Sequence, residues 1–124
     1  WIGNEVSCGV GMQRIDVVTV QEDNRSVRIN IIELKDEEPY DSIITYQLPW
    51  YIDWLKNYWC PLYTGKEITI YPIVIAKKTN DRSRERFHNL SNTLVYPTQD
   101  DISVSAVEYI AFDIDEDISF EKVF

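Results

Sequence analysis

The chain has 124 residues, 44% of them hydrophobic, so it is long enough for one hydrophobic core and too short for two. Its 21 acidic residues against 12 basic ones give a formal net charge of -9, which opposes broad nonspecific binding of a polyanion. No segment reaches the run of about 18 to 20 apolar residues that a membrane-spanning helix needs, so we expect no membrane partner.

The start of the chain and its two cysteines bear on whether it is part of a longer protein and on its cellular compartment. From its length we expect one domain spanning residues 1–124. Because the sequence begins at Trp1, we expect this domain to belong to a longer protein. Cys8 and Cys60 form no CxxC motif and have no histidine pair nearby, which argues against a zinc site and a redox motif. We expect two buried or half-buried thiols in a cytoplasmic protein.

The first part of the chain has the pattern of a β-hairpin. Residues 12–20 are rich in β-branched side chains, residues 21–26 are polar and predict a turn, and residues 27–34 predict the returning strand. Apolar side chains alternate in that second strand, so one of its faces should meet the core. A further short edge strand is expected at residues 5–8.

Residues 41–59 change to the spacing of an amphipathic helix. Asp41 or Ser42 is the expected N-cap. Pro49 predicts a kink or a restart of the helix, because proline lacks a backbone N–H and clashes with the preceding turn. The apolar residues recur at spacings of three and four; they are Ile44, Leu48, Tyr51, Ile52, Leu55 and Trp59.

The second half of the chain predicts three more strands and a short helix. Residues 67–76 indicate a buried strand in which Pro72 requires a bulge or an edge position. Residues 82–94 predict the helix, residues 103–113 the next strand, and residues 118–124 a short last strand. The order of these elements predicts an α/β fold, with a mixed β-sheet core flanked by helices.

Two carboxylates and a lysine are expected to meet at one end of the hairpin. Asp16 lies among apolar strand residues and Glu33 follows two isoleucines, and a carboxylate in such a setting is costly unless it is paired or bound to a metal. The midpoint between positions 16 and 33 falls in the predicted turn, so strand pairing can bring these two residues together. Lys35 should project on the same face as Glu33, with Leu34 pointing away to the core.

These residue types suit hydrolysis of a phosphodiester bond. Two close carboxylates repel each other, and Mg²⁺ or Mn²⁺ removes that penalty by taking oxygen ligands from both. The metal would lower the pKa of a bound water and stabilise charge on the phosphate. Lys35 would orient the attacking water or offset charge in the transition state.

The order Asp16, then Glu33-Leu34-Lys35, resembles the core of the PD-(D/E)XK nuclease superfamily, and Gln47 and Tyr51 match the QxxxY element of its RecB-like branch. The likeness covers about residues 9–77. It implies a restriction-endonuclease-like fold and a Mg²⁺- or Mn²⁺-dependent deoxyribonuclease. The implied metal ligands are Asp16, Glu33 and the Leu34 carbonyl, the implied catalytic lysine is Lys35, and Gln47 and Tyr51 would help to position DNA or that lysine.

A basic stretch within this acidic chain is a candidate DNA contact. Its basic side chains would contact phosphates, although a solvated loop or helix is the alternative. The residues are Lys77, Lys78, Arg82, Arg84 and Arg86. His88, in the same stretch, is expected at the surface rather than in a catalytic role.

Two alternatives to a nuclease remain open. One is a catalytically inactive member of the same fold that binds DNA or serves in assembly, and the other is an acidic α/β domain that binds a protein. The aromatic side chains of residues 50–59 are expected in the core and in an interface more than in base stacking. A second copy of the chain, or a missing neighbouring domain, could cover those that the core does not bury.

Overall fold

The computed structural model describes residues 1–8, 14–115 and 117–124. In these ranges no helix is long and apolar enough to cross a lipid bilayer. The described strands are β1 (Ile2–Ser7), β2 (Arg14–Glu22), β3 (Ser26–Leu34), β4 (Glu67–Lys77), β5 (Ile102–Val104), β6 (Glu108–Ile114) and β7 (Ile118–Lys122), and the longer helices are α1 (Leu48–Tyr58) and α2 (Asp81–Ser91).

The described strands form one mixed sheet in the order β1-β2-β3-β4-β6-β7, with β5 also paired to β4. Strands β1, β2 and β3 are antiparallel, β3, β4 and β6 run parallel, and β7 returns antiparallel to β6. The predicted α/β architecture with a mixed sheet is therefore confirmed.

Both helices pack on the same face of this sheet. Glu33, Val74 and Tyr109 lie opposite one another across β3, β4 and β6. Tyr51 of α1 interacts with Glu33, and Phe87 of α2 packs against Tyr109 with ring centroids 5.6 Å apart. The core therefore lies on one side of the sheet, between the strands and the two helices.

The hairpin forms as predicted from its turn and its alternation. The Asp23 carboxylate accepts hydrogen bonds from the main-chain N–H groups of Arg25 and Ser26, at 2.8 and 2.7 Å, which fixes the turn. In β3, Val27, Ile29 and Ile31 are buried. The predicted edge strand is β1, which begins earlier, at Ile2, and positions 12 and 13 of the first predicted strand lie outside the described residues.

The predicted restart near Pro49 is not observed, because residues 41–58 are helical without a break. The helix is instead irregular before Pro49, with a π-helical turn over Ile43–Gln47 that leads directly into α1. The expected N-cap is not observed at Ser42, which has helical backbone angles and makes no capping hydrogen bond. The Asp41 carboxylate pairs instead with Arg86.

The strand predicted over residues 103–113 is wrong as one element, because β5 and β6 divide it. Both pair with β4, and Pro72 lies between the last β5 partner, Ile70, and the first β6 partner, Ile73. Pro72 causes no bulge in the pairing with β3, which is continuous, but on its other side it has no strand partner, as the expected edge position requires. Its missing N–H faces the gap between β5 and β6, where no strand bond is lost.

Candidate metal and active site

Asp16 and Glu33 come together at the open end of the β2–β3 hairpin. The strand pairing runs to Val17 opposite Ile32, so the next residues along are Asp16 and Glu33. The Asp16 carboxylate also accepts a hydrogen bond from the main-chain N–H of Leu34, with Leu34 N 2.8 Å from Asp16 Oδ2. The predicted juxtaposition of the two carboxylates is thus present.

Glu33 is the buried acid of this group, with 3% of its side chain exposed. Its Oε1 lies 2.9 Å from Lys35 Nζ, whereas its Oε2 is buried and has no hydrogen-bond partner in the described part of the chain. Burial raises the pKa of Glu33, hydrogen bonding to Lys35 lowers it, and the charge of Asp16 raises it again. The net direction is upward, as expected for a desolvated carboxylate beside another one.

Lys35 is held between Glu33 and an aromatic residue. Its Nζ lies 5.1 Å from the centre of the Tyr40 ring. Burial alone would lower the pKa of Lys35, but hydrogen bonding to Tyr40 and Glu33 and the charge of Glu33 outweigh it, so the pKa is raised. Lys35 therefore remains a cation at neutral pH. Sequence reasoning missed Tyr40, because no spacing marks a loop residue that reaches back to this lysine.

Gln47, the last residue of the π-helical turn, and Tyr51 of α1 lie about one helical turn apart. Tyr51 is buried, and burial, the charge of Glu33 and hydrogen bonding to Glu33 raise the pKa of its hydroxyl. Gln47 has a buried Oε1 with no hydrogen-bond partner among the described residues. The structure thus brings Tyr51 to the predicted site.

Cys8 is a second neighbour that sequence reasoning missed. The indole N–H of Trp50 donates to the Cys8 carbonyl, at 2.6 Å, which fixes this segment against α1. Burial raises the pKa of the Cys8 thiol, hydrogen bonding to the Ile15 backbone lowers it, and the charge of Glu33 raises it. Cys8 and Cys60 are both buried free thiols, as expected.

The expected orientation of the Leu34 side chain is wrong. The core lies on the helix-covered face, which Glu33 faces, so Leu34 projects from the opposite face and is 47% exposed. Only its main chain belongs to the site.

The basic stretch divides into free and paired side chains. Lys77, Lys78 and Arg82 are exposed and form no ion pair with the carboxylates of the described residues. Arg84 pairs with Glu121, with 3.3 Å between Nη2 and Oε2, and Arg86 pairs with Asp41. Lys77 ends β4 beside the end of β3, so the free cations begin at the same end of these central strands as Lys35. His88 is exposed, as predicted, and stacks on Phe124.

The carboxylate oxygens at the open end of the hairpin can be compared with the ligands that a divalent ion requires. Across residues 1–8, 14–115 and 117–124, no cluster of three or more His, Cys, Asp or Glu side chains is arranged to hold a metal. Two adjacent carboxylates remain, one with a buried oxygen that lacks a partner. Mg²⁺ is commonly bound through one or two carboxylates and keeps several waters, so this pair fits such an ion.

Comparisons with known proteins give no match: no family model, curated protein or solved structure is significantly similar to the chain.

Proposed function

We propose that the chain is a metal-dependent nuclease domain with a restriction-endonuclease-like fold that hydrolyses DNA phosphodiester bonds. One observation carries the proposal: Asp16, Glu33 and Lys35 converge at one hairpin end, with Lys35 Nζ 2.9 Å from Glu33 Oε1. A buried acid with a raised pKa beside a second acid and a lysine is typical of catalytic sites.

Asp16 and Glu33 would hold Mg²⁺ or Mn²⁺, with the Leu34 carbonyl as a third oxygen donor. The buried Glu33 Oε2 supports this assignment, because a cation would supply the partner that it lacks. When bound, such an ion lowers the pKa of a coordinated water and polarises a phosphate oxygen.

The remaining side chains have separate tasks. Lys35 carries a positive charge that can orient a water or offset negative charge on the phosphate. Tyr51, whose raised pKa keeps its hydroxyl protonated, holds Glu33 from the helix side. Lys77, Lys78 and Arg82 would contact the DNA backbone; Arg84 and Arg86 could do so only by exchanging a carboxylate for a phosphate.

A catalytically inactive DNA-binding or assembly module is the second candidate. It is favoured by the interactions that already occupy the site, since Glu33 Oε1 pairs with Lys35 and Asp16 Oδ2 accepts the Leu34 N–H. The acidic protein-interaction domain has less support, because Glu33 is buried beside Asp16 rather than separated from it on the surface.

Cleavage of labelled single- and double-stranded DNA in Mn²⁺ tests the proposal. We expect the wild type to cut, and Asp16→Asn to reduce the rate by at least about 100-fold because it removes charge from the metal site. Lys35→Met should cause a loss of similar size.

Glu22→Gln is the matched control, because Glu22 also lies in the hairpin and pairs with a lysine, but at the other end. It should cut at the wild-type rate. Mn²⁺ binding without cleavage would favour the inactive module, and cleavage that Asp16→Asn leaves unchanged would contradict the proposed site.

A further inference from the structure

Lys35 has two partners in the candidate site. Its Nζ lies 2.9 Å from Glu33 Oε1 and 5.1 Å from the centre of the Tyr40 ring, and its ammonium group also donates a hydrogen bond to the Tyr40 hydroxyl. Only 18% of the Lys35 side chain is exposed. The ammonium group is therefore enclosed between a carboxylate that belongs to the proposed metal site and a hydroxyl that does not.

Tyr40 is fixed by contacts that do not involve Lys35. The main-chain N–H of Ile43 donates to the Tyr40 carbonyl at 3.1 Å, which ties Tyr40 to the start of the π-helical turn. The next residue, Asp41, pairs with Arg86 of α2, and the Tyr40 side chain packs against the core. The position of Tyr40 is thus set by the helices and the core rather than by what Glu33 binds.

A divalent ion at the site would compete with Lys35 for Glu33. The ion would take the carboxylate charge that now attracts the ammonium group, and it would repel that group because both are cations. The flexible four-carbon stem of a lysine allows its ammonium group to move to another partner. Lys35 therefore has to exchange Glu33 for another group in order to remain in the site.

The partners open to a displaced Lys35 would take it in different directions. Three acidic residues directly follow it in the chain and are exposed, so an ion pair with one of them would draw the ammonium group toward solvent. They are Asp36, Glu37 and Glu38. The Tyr40 hydroxyl, by contrast, already bonds to the ammonium group within the site.

We propose that Lys35 occupies the Glu33 carboxylate until a divalent ion displaces it, and that Tyr40 is the positioning residue that then keeps Lys35 beside the ion. The inference rests on the proposed function, because it requires a divalent ion on Asp16 and Glu33. With no ion bound, Lys35 neutralises a buried acid. With the ion bound, the same lysine stays close enough to act on the phosphate.

Acylation of lysines by an N-hydroxysuccinimide ester, with and without Mg²⁺, tests the exchange by peptide mass spectrometry. Lys122, whose side chain is 69% exposed, is the internal reference. In the wild type, Mg²⁺ should change the acylation of Lys35 by less than about twofold, because Tyr40 retains the amine. In Tyr40→Phe, which keeps the ring and removes the hydroxyl, Mg²⁺ should raise it about fivefold or more, because the displaced amine reaches solvent.

Tyr58→Phe is the matched control, since Tyr58 is a 65% exposed tyrosine at the far end of α1. It should respond to Mg²⁺ as the wild type does. A rise of equal size in the wild type and in Tyr40→Phe would overturn the role of Tyr40, and no rise in either would show that Lys35 is not displaced. A rise in Tyr40→Phe that does not depend on Mg²⁺ would indicate a loosened site and would also overturn the proposal.

Calorimetric titration with Mg²⁺ separates this inference from the proposed function. Mg²⁺ binding together with any of the contradicting labelling results would overturn this inference alone, whereas no binding by the wild type would overturn both. In DNA cleavage, Tyr40→Phe should lower kcat about 10-fold and leave KM within about twofold, because Lys35 acts on the reacting phosphate. An unchanged kcat would overturn the role of Tyr40.

Discussion

A glutamate and a lysine pair at each end of the β2–β3 hairpin, and the two pairs differ in burial rather than in length. Glu33 and Lys35 are 2.9 Å apart at the open end, and Glu22 and Lys66 are also 2.9 Å apart at the turn. The side chain of Glu33 is 3% exposed, whereas that of Glu22 is 46% exposed. Distance alone therefore does not distinguish the candidate site from an ordinary surface ion pair.

The environments shift the pKa of nearby carboxyls in opposite directions. At the turn, hydrogen bonds from the main chain of Arg25 and Ser26 lower the pKa of Asp23. At the open end, burial raises the pKa of Glu33. Water screens the charges of the exposed Glu22–Lys66 pair and solvates them. The buried Glu33–Lys35 pair is stabilised mainly by its protein surroundings. Only the buried end therefore combines a desolvated acid with a second acid and a lysine.

Removal of one lysine from each pair should give the largest contrast in stability. Lys35→Met leaves a buried carboxylate without its cation, so the free energy of unfolding should fall by about 3 kcal/mol. Lys66→Met should lower it by less than about 1 kcal/mol. Urea unfolding of both variants measures these losses, and equal losses would contradict the difference in burial.

The pH dependence of stability should have opposite signs at the two ends. The pKa of Glu33 is raised above its ordinary value of 4.5, so its contribution is fully present below that pH and is lost as the pH rises through the folded pKa. The pKa of Asp23 is lowered below its ordinary value of 3.8, so its contribution is present above that pH and is lost on acidification.

Unfolding curves of wild type, Glu33→Gln and Asp23→Asn at several pH values measure this difference. The stability of wild type relative to Glu33→Gln should fall as the pH rises above 4.5. Relative to Asp23→Asn it should fall as the pH drops below 3.8. Two curves with the same sign would show that Glu33 is hydrated in solution.

Salt should produce the smallest effect and sharpen the same contrast. At about 1 M ionic strength the Debye length is about 3 Å, so an exposed pair is screened while a buried one is screened much less. Added NaCl should therefore abolish the small destabilisation by Lys66→Met and leave most of that by Lys35→Met. Urea unfolding at low and high salt measures both, and loss of the Lys35→Met effect in salt would indicate a solvated pair.

The parts of this site that could be predicted from the sequence are those that local geometry sets. A short turn fixes the hairpin register, so the positions of Asp16 and Glu33 around it indicate that they meet. Helical spacing likewise places Gln47 of the π-helical turn and Tyr51 of α1 one turn apart. Pro49 indicates an irregularity in the helix because its effect on the backbone is local, and the π-helical turn Ile43–Gln47 lies directly before α1.

The parts that could not be predicted depend on contacts distant in sequence. The exposure of Leu34 follows from both helices packing on one face of the sheet, which no pattern within β3 reveals. Tyr40 and Cys8 reach the site from loops. The gap between β5 and β6 leaves one side of Pro72 unpaired, and these strands lie about 30 residues further along the chain, so the sequence around Pro72 could not show how its edge position would arise.

The most direct test of the central claim is paramagnetic broadening of backbone amide signals by Mn²⁺ in an NMR titration, since it locates a bound ion on the hairpin. The account predicts broadening centred on Asp16, Leu34 and Lys35, and its loss in Asp16→Asn. Broadening at the turn around Glu22 and Asp23, or none that saturates at the open end, would contradict a metal site at the buried pair.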